Sequence, residues 1–288
     1  MKNTIRYYYN FDNITIISQK NKKYIKYNNE LYIACKVKNE NEVIELYNLT
    51  KNIPYFYKFI INREGKIFTN YKNDTFVLLK ITGNYSSNIQ KNKKIIIDNN
   101  KKYHLDRSDW YSLWTQKNDY FEYQYNHIKG KYKIIDESIN YYIGIAENAI
   151  SYIANISGEL KGKEEKVLCH RRIEENEFFN PLNYVIDYKE RELSEYLKYI
   201  FVTKKYTECD VEKLVTSCNS TQAGYQLLFG RMLYPSIYFD IYDKIINEYE
   251  SESSLMCIIK RNREYENYLQ RIFEAINANV KIKNIDWL

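Results

Sequence analysis

The hydrophobic pattern changes period once along this chain, and the change restricts the folds open to it. Through the first 80 residues apolar positions come in short runs separated by Asn, Lys and Asp clusters, and 14–18, 24–27, 31–37, 56–62, 66–69 and 75–80 read as strands. Between the third and fourth of these, 42–53 carries Val43, Leu46 and Ile53 near helical spacing. From Asp106 the spacing becomes helical. Asp106 or Ser108 can cap a helix bearing Trp110, Leu113, Trp114 and Phe121, and 138–156 sets Ile143, Ala146, Ile150 and Ile153 on one face. Further helices are predicted after Asp187, with Leu193, Tyr196, Leu197 and Ile200 turned inward, and over 210–233, 236–249 and 255–277, with Pro235 as a break. The expected class is α+β: an antiparallel-sheet lobe with one helix over 1–82, and a mainly helical lobe over 83–288.

Length and charge exclude several functions. The 288 residues suffice for one large or two coupled lobes with real cores. The formal charge of +6 arises from 43 basic and 37 acidic residues spread through the chain, so no concentrated basic stripe points to nucleic acid. The clusters at 20–26 and 91–102 read as solvated hairpins or loops, a polyanion binder being the third-ranked reading. Five cysteines, odd in number and without a CxxC pair, indicate neither a zinc site nor a disulfide framework. Glu147 and Asn148 interrupt the best apolar run, leaving no membrane segment, and the N-terminus lacks a secretory apolar region. The expected site of synthesis is a reducing cytoplasm. The 32 tyrosines fit either AT-rich codon usage or a surface built for cross-linking and broad contact.

Chemistry concentrates in VLCHRRIEENEFFNPLNYVIDY, residues 167–188. A strand leads to His170, a loop follows, and a second strand delivers Asp187. In phosphoryl transfer a loop carboxylate accepts the proton of the attacking hydroxyl and a strand-end carboxylate holds magnesium. The segment resembles the aminoglycoside-phosphotransferase branch of the kinase-like fold, whose pattern is His-Gly-Asp, four residues, Asn, then Ile-Asp-Phe or Ile-Asp-Trp. His170 and Asp187 match it. Arg171 stands for the glycine, Arg172 for the catalytic aspartate and Glu177 for the metal-binding asparagine, with Asn176 one residue early. A guanidinium stays protonated, so Arg172 cannot act as a base. Loss of a general base is worth roughly 10²- to 10⁴-fold in rate.

The same resemblance implies a phosphate-gripping lysine on an Ala-x-Lys strand. Lys36 is the candidate, Lys38 the understudy, and Glu42 or Glu45 the ion-pair partner. Residues 7–37 contain no glycine to let backbone N–H groups approach phosphate. Arg171 and Arg172 could hold an anion or neutralise Asp187, Arg191 could pair with Asp187, and His170 would brace the loop. Neighbours on a strand face opposite ways, which disfavours a Cys169/His170 dyad. His104 and His127 lack metal spacing, and Glu147 reads as a helix-surface residue.

A second resemblance spans most of the chain. The segments 107–122, 140–153, 170–200 and 224–245 are similar, in this order, to those of the CotS-like and YutH-like spore-coat proteins of endospore-forming Firmicutes. That resemblance implies synthesis in the mother-cell cytoplasm, deposition on the spore coat, and other coat or coat-assembly proteins as partners. Together with the substituted loop it implies a pseudokinase with no cofactor. The alternative is an active phosphotransferase using ATP and Mg²⁺, with Glu174, Glu175 or Glu177 as relocated base.

Overall fold

The computed structural model describes residues 1–19, 22–82, 95–158, 164–174 and 177–285. The sequence readings at 20–21, 83–94, 159–163, 175–176 and 286–288, including Glu175, Asn176 and the Trp287–Leu288 tail, lie outside them. The chain divides into two compact units. The first comprises 1–93, 102–105 and 174–184, and the second 94–101, 106–173 and 185–288.

The first unit is built on an antiparallel sheet. Strands β1 (Thr15–Gln19), β2 (Lys22–Tyr27), β3 (Glu30–Lys36), β4 (Lys58–Ile60), β5 (Phe68–Tyr71) and β6 (Asp74–Lys80) follow the order β1-β2-β3-β6-β4, with β5 also on β6. Alternation decides what each face does. Tyr32, Phe76 and Leu78 pack with Ile25 and with Ile5 and Tyr9 of α1 (Lys2–Tyr9), whereas Ile33, Val77 and Leu79 pack with Val43 of α2 (Glu40–Thr50). Helix α1 was not apparent from the sequence, because its run of three tyrosines hides the Ile5/Tyr9 pairing one turn apart. Tyr9 anchors it by a 2.8 Å hydrogen bond between its hydroxyl and that of Thr69.

The second unit is mainly helical. It comprises α3 (Trp110–Ile128), α4 (Lys133–Ile156), α5 (Glu190–Thr203), α6 (Glu208–Thr216), α7 (Gln222–Leu233), α8 (Ser236–Ile246), α9 (Met256–Ile259) and α10 (Asn262–Asn277). A small sheet of β7 (Ile95–Ile96), β8 (Lys166–His170) and β9 (Tyr184–Tyr188) completes it. Helices α6 and α7 replace the single helix expected over 210–233. Asn219 adopts a left-handed φ of 42°, and Thr221 caps α7 by accepting from the Gly224 N–H, so the Ser-Cys-Asn-Ser-Thr stretch breaks the helix. Some tyrosines serve the interior here, Tyr142 stacking on Tyr238 at 3.7 Å and Trp114 on Tyr234 at 4.4 Å, while Tyr111, Tyr120, Tyr123 and Tyr249 are exposed.

Candidate functional site

In the first unit, strand parity sets what each residue of β3 can reach. Lys36 lies on the Ala34/Phe76 face, while α2 packs against the face of Ile33 and Cys35. The Lys36 ion pair is made with exposed Asp74, at 2.6 Å. Glu45, its expected partner, instead accepts from the backbone N–H groups of His104 and Leu105, at 2.9 and 3.0 Å, and pairs with His104 Nδ1.

Lys22, in the basic cluster 20–26, occupies the α2-facing side together with Tyr24. Lys22 of β2 pairs with Glu177, whose other oxygen accepts from the Asn180 amide. Burial works against the Lys22 ammonium, but Glu177 outweighs it and raises the pKa. Cys35 is close by, its thiol pushed up to about 12 by burial and by Glu177. Further contacts bind the loop segment 174–184 to this unit: Tyr57 N–H donates to Phe179 O at 3.0 Å, and Phe56 meets Tyr184 edge to face. Glu177, expected where a metal-binding asparagine belongs, is thus engaged by Lys22 and Asn180.

In the second unit, β8 carries Cys169 and His170 and β9 carries Asp187. Cys169 is fully buried, and burial pushes its thiol well up, as an inert core residue requires. His170, 1% exposed, places Nδ1 2.6 Å from Glu192 Oε1 and donates its backbone N–H to Glu192 Oε2 at 2.9 Å. The first turn of α5 therefore fixes the start of the loop. Arg191, next in that turn, donates to the carbonyls of His170 and Arg171 at 3.0 and 2.9 Å.

Asp187 is 0% exposed. Its Oδ2 accepts from Arg191 Nη1 at 2.6 Å and from the indole N–H of Trp110 at 2.9 Å, and Oδ1 accepts from the Tyr188 N–H at 2.8 Å. Complete burial pushes the carboxyl above its ordinary range, against the pull of Arg191 and Arg231. A magnesium ligand needs an oxygen open to a hydrated ion. This carboxylate presents its oxygens to a guanidinium, an indole and a peptide N–H, and the residues do not fit that metal.

Arg172 turns elsewhere. Its Nε and Nη2 form a fork on the Asp240 carboxylate, with Nη2–Oδ1 at 3.1 Å, and its Nη1 reaches Glu195 Oε1 at 3.2 Å. Burial opposes its charge, but Asp240 and Glu195 prevail and raise the pKa further. The neutralisation of Asp187 expected of the Arg171/Arg172 pair is supplied by Arg191. Glu195, 2% exposed, also accepts from Arg231 Nε and Nη2 at 3.1 and 2.7 Å, and Arg231 lies over the Trp110 and Trp114 rings at 5.3 and 5.6 Å. Burial would raise the Glu195 carboxyl, yet Arg172 and Arg231 hold it well below the usual carboxylate range. The position that would carry a base is thus one arm of an ion network that runs from half-exposed Asp240 through Arg172 to the buried Glu195 and Arg231.

The Arg191–Asp187 pairing was legible in the sequence, whereas Trp110 as a donor and Glu195, Asp240 and Lys22 as partners were not. Residues 2–272 match the protein family described as "Spore coat putative kinase YutH". The chain belongs to that family. It is 25% identical to the endospore coat-associated protein YutH of Bacillus subtilis strain 168 over 293 residues, covering 86% of each chain. Among solved structures, an aminoglycoside phosphotransferase from Alicyclobacillus acidocaldarius aligns over 96% of both chains with a TM-score of 0.61 at 8% identity. A spectinomycin phosphotransferase, solved with ADP and spectinomycin, covers 94% of this chain and 96% of its own with a TM-score of 0.50 at 12% identity. At such identities the likeness establishes a kinase-like fold, and among the described residues no helix is long and apolar enough to cross a membrane.

Proposed function

We propose that this family member is a catalytically silent kinase-fold component of the spore coat, made in the mother-cell cytoplasm and acting through contacts with other coat or coat-assembly proteins. The observation that carries the reading is the closure of Asp187 by Arg191 and Trp110. Two further departures support it: Arg172 is bound to Asp240 and Glu195, and Glu177 to Lys22 and Asn180. Phosphoryl transfer rests on positioned metal and charge. Here Asp187, Arg172 and Glu177 each have an oppositely charged side chain as partner.

The competing reading, a transferase with a glutamate base, is separated by incubating the protein with γ-labelled ATP and Mg²⁺, alone and with a spore-coat extract. No label should transfer to the protein or the extract above a no-protein control. Transfer by the wild type that is lost in Asp187→Asn would establish an active enzyme instead.

A further inference from the structure

The geometry points to a binding site for a small organic amine in the second unit, in a cavity of about 290 Å³ at the Lys166/Tyr188 end of β8 and β9. Strand β8 runs from Lys166 to His170, so this end lies about 16 Å along the strand from the loop that starts at Arg171. The cavity is distinct from that loop, although its lining residues Trp110 and Tyr188 also bond to Asp187. Its volume, at the small end of ligand sites, suits a compact molecule.

Among the described residues, the lining combines apolar surface with an excess of negative charge. Ile153, Leu227 and the rings of Trp110 and Tyr188 form the apolar part. Lys166, which also lines the cavity, is neutralised by Asp106, its ammonium 2.8 Å from Oδ2. Glu164 is only 5% exposed. Its Oε1 accepts from the Thr221 hydroxyl at 2.7 Å, and its Oε2 has no hydrogen-bond partner among the described residues. At the rim, Asp109 caps α3 through one oxygen, accepting from the Ser112 N–H at 3.1 Å, and contributes a second carboxylate. Glu190, outside the cavity lining, has a buried Oε2 that also lacks a partner; burial, reinforced by the Glu164 charge, pushes its carboxyl up against the pull of Ser220 and Lys189 on the other oxygen.

A carboxylate group with so little exposure overall, and with one oxygen lacking a donor, is costly. Two carboxylates beside aromatic rings favour a cation with N–H donors and an apolar body, because an ammonium can donate to oxygen and lie against an aromatic face. A bare metal ion suits the lining less well, since no group of three or more potential ligands occurs among the described residues. A neutral polyol would satisfy hydrogen bonds but leave the charge uncompensated.

The test is calorimetric titration of the full chain, at fixed ionic strength, with 1,4-diaminobutane and with its neutral counterpart 1,4-butanediol. Saturable binding of the diamine is expected, with the diol at least tenfold weaker. Glu164→Gln should weaken the diamine at least tenfold. Asp109→Asn, which preserves the helix cap, should weaken it severalfold and carries the test if Glu164→Gln does not fold. No saturable diamine binding, equal binding of the diol, or diamine binding unchanged by the folded variants would each overturn the proposal.

Discussion

Replacing Asp187 by alanine is expected to cost about 3–5 kcal/mol of stability, the penalty for leaving a buried charge unpaired. The substitution strips Arg191, itself 4% exposed, of its carboxylate, and also leaves the Trp110 indole N–H and the Tyr188 N–H without their acceptor. A carboxylate kept open for a metal would behave differently. Its removal relieves an uncompensated negative charge and leaves the fold nearly as stable. Equilibrium urea denaturation of the two proteins at neutral pH separates these cases, and a loss below about 1 kcal/mol would mean that Asp187 is not the structural partner described here.

The second large effect concerns Glu195. Glu195→Gln keeps the shape but removes the charge on which Arg231 and one arm of Arg172 depend, and a loss of about 3–5 kcal/mol is expected at pH 7. The sign of its pH dependence follows from the depressed pKa of Glu195 in the folded protein. A carboxyl depressed on folding contributes stability that is fully present above its unfolded pKa, about 4.3, and is lost as pH falls through the lower folded value. The gap between wild type and Glu195→Gln should therefore be constant from pH 7 to about 5 and narrow below that. Denaturation midpoints at pH 7, 5 and 4 measure it. A gap that widens as pH falls would contradict the assignment.

Local pattern exposed much of this architecture. Alternation in 31–37 and 75–80 located the central strands, because Tyr32 and Phe76 serve one core and Ile33 and Val77 the other. The Arg191–Asp187 pair was legible for a similar reason: the residues are four apart in sequence, where the start of α5 follows β9. Partners brought together by the tertiary fold left no such trace. Asp240 is 68 residues from Arg172, and Glu177 is 155 from Lys22. Neither spacing carries a period or a motif.

Lys36 shows how a correct local reading can lead to the wrong partner. Ala34 and Lys36 do share a face, as alternation requires, but α2 covers the other one. The Ala-x-Lys resemblance could not say which face α2 would take. Trp110 was expected to be buried, and it is, at 1% exposed. Its role as a donor to Asp187 depends on α3 and β9 meeting at one point.

The central claim is that the cradle carboxylate serves the fold and is closed to metal. Calorimetric titration of the wild-type protein with ATP, once with Mg²⁺ and once with a chelator, tests it most directly. The account predicts that Mg²⁺ gives no gain in affinity: either no nucleotide binds, or it binds equally well in both. A Mg²⁺-dependent gain of tenfold or more, about 1.4 kcal/mol, that disappears in folded Asp187→Asn would contradict it.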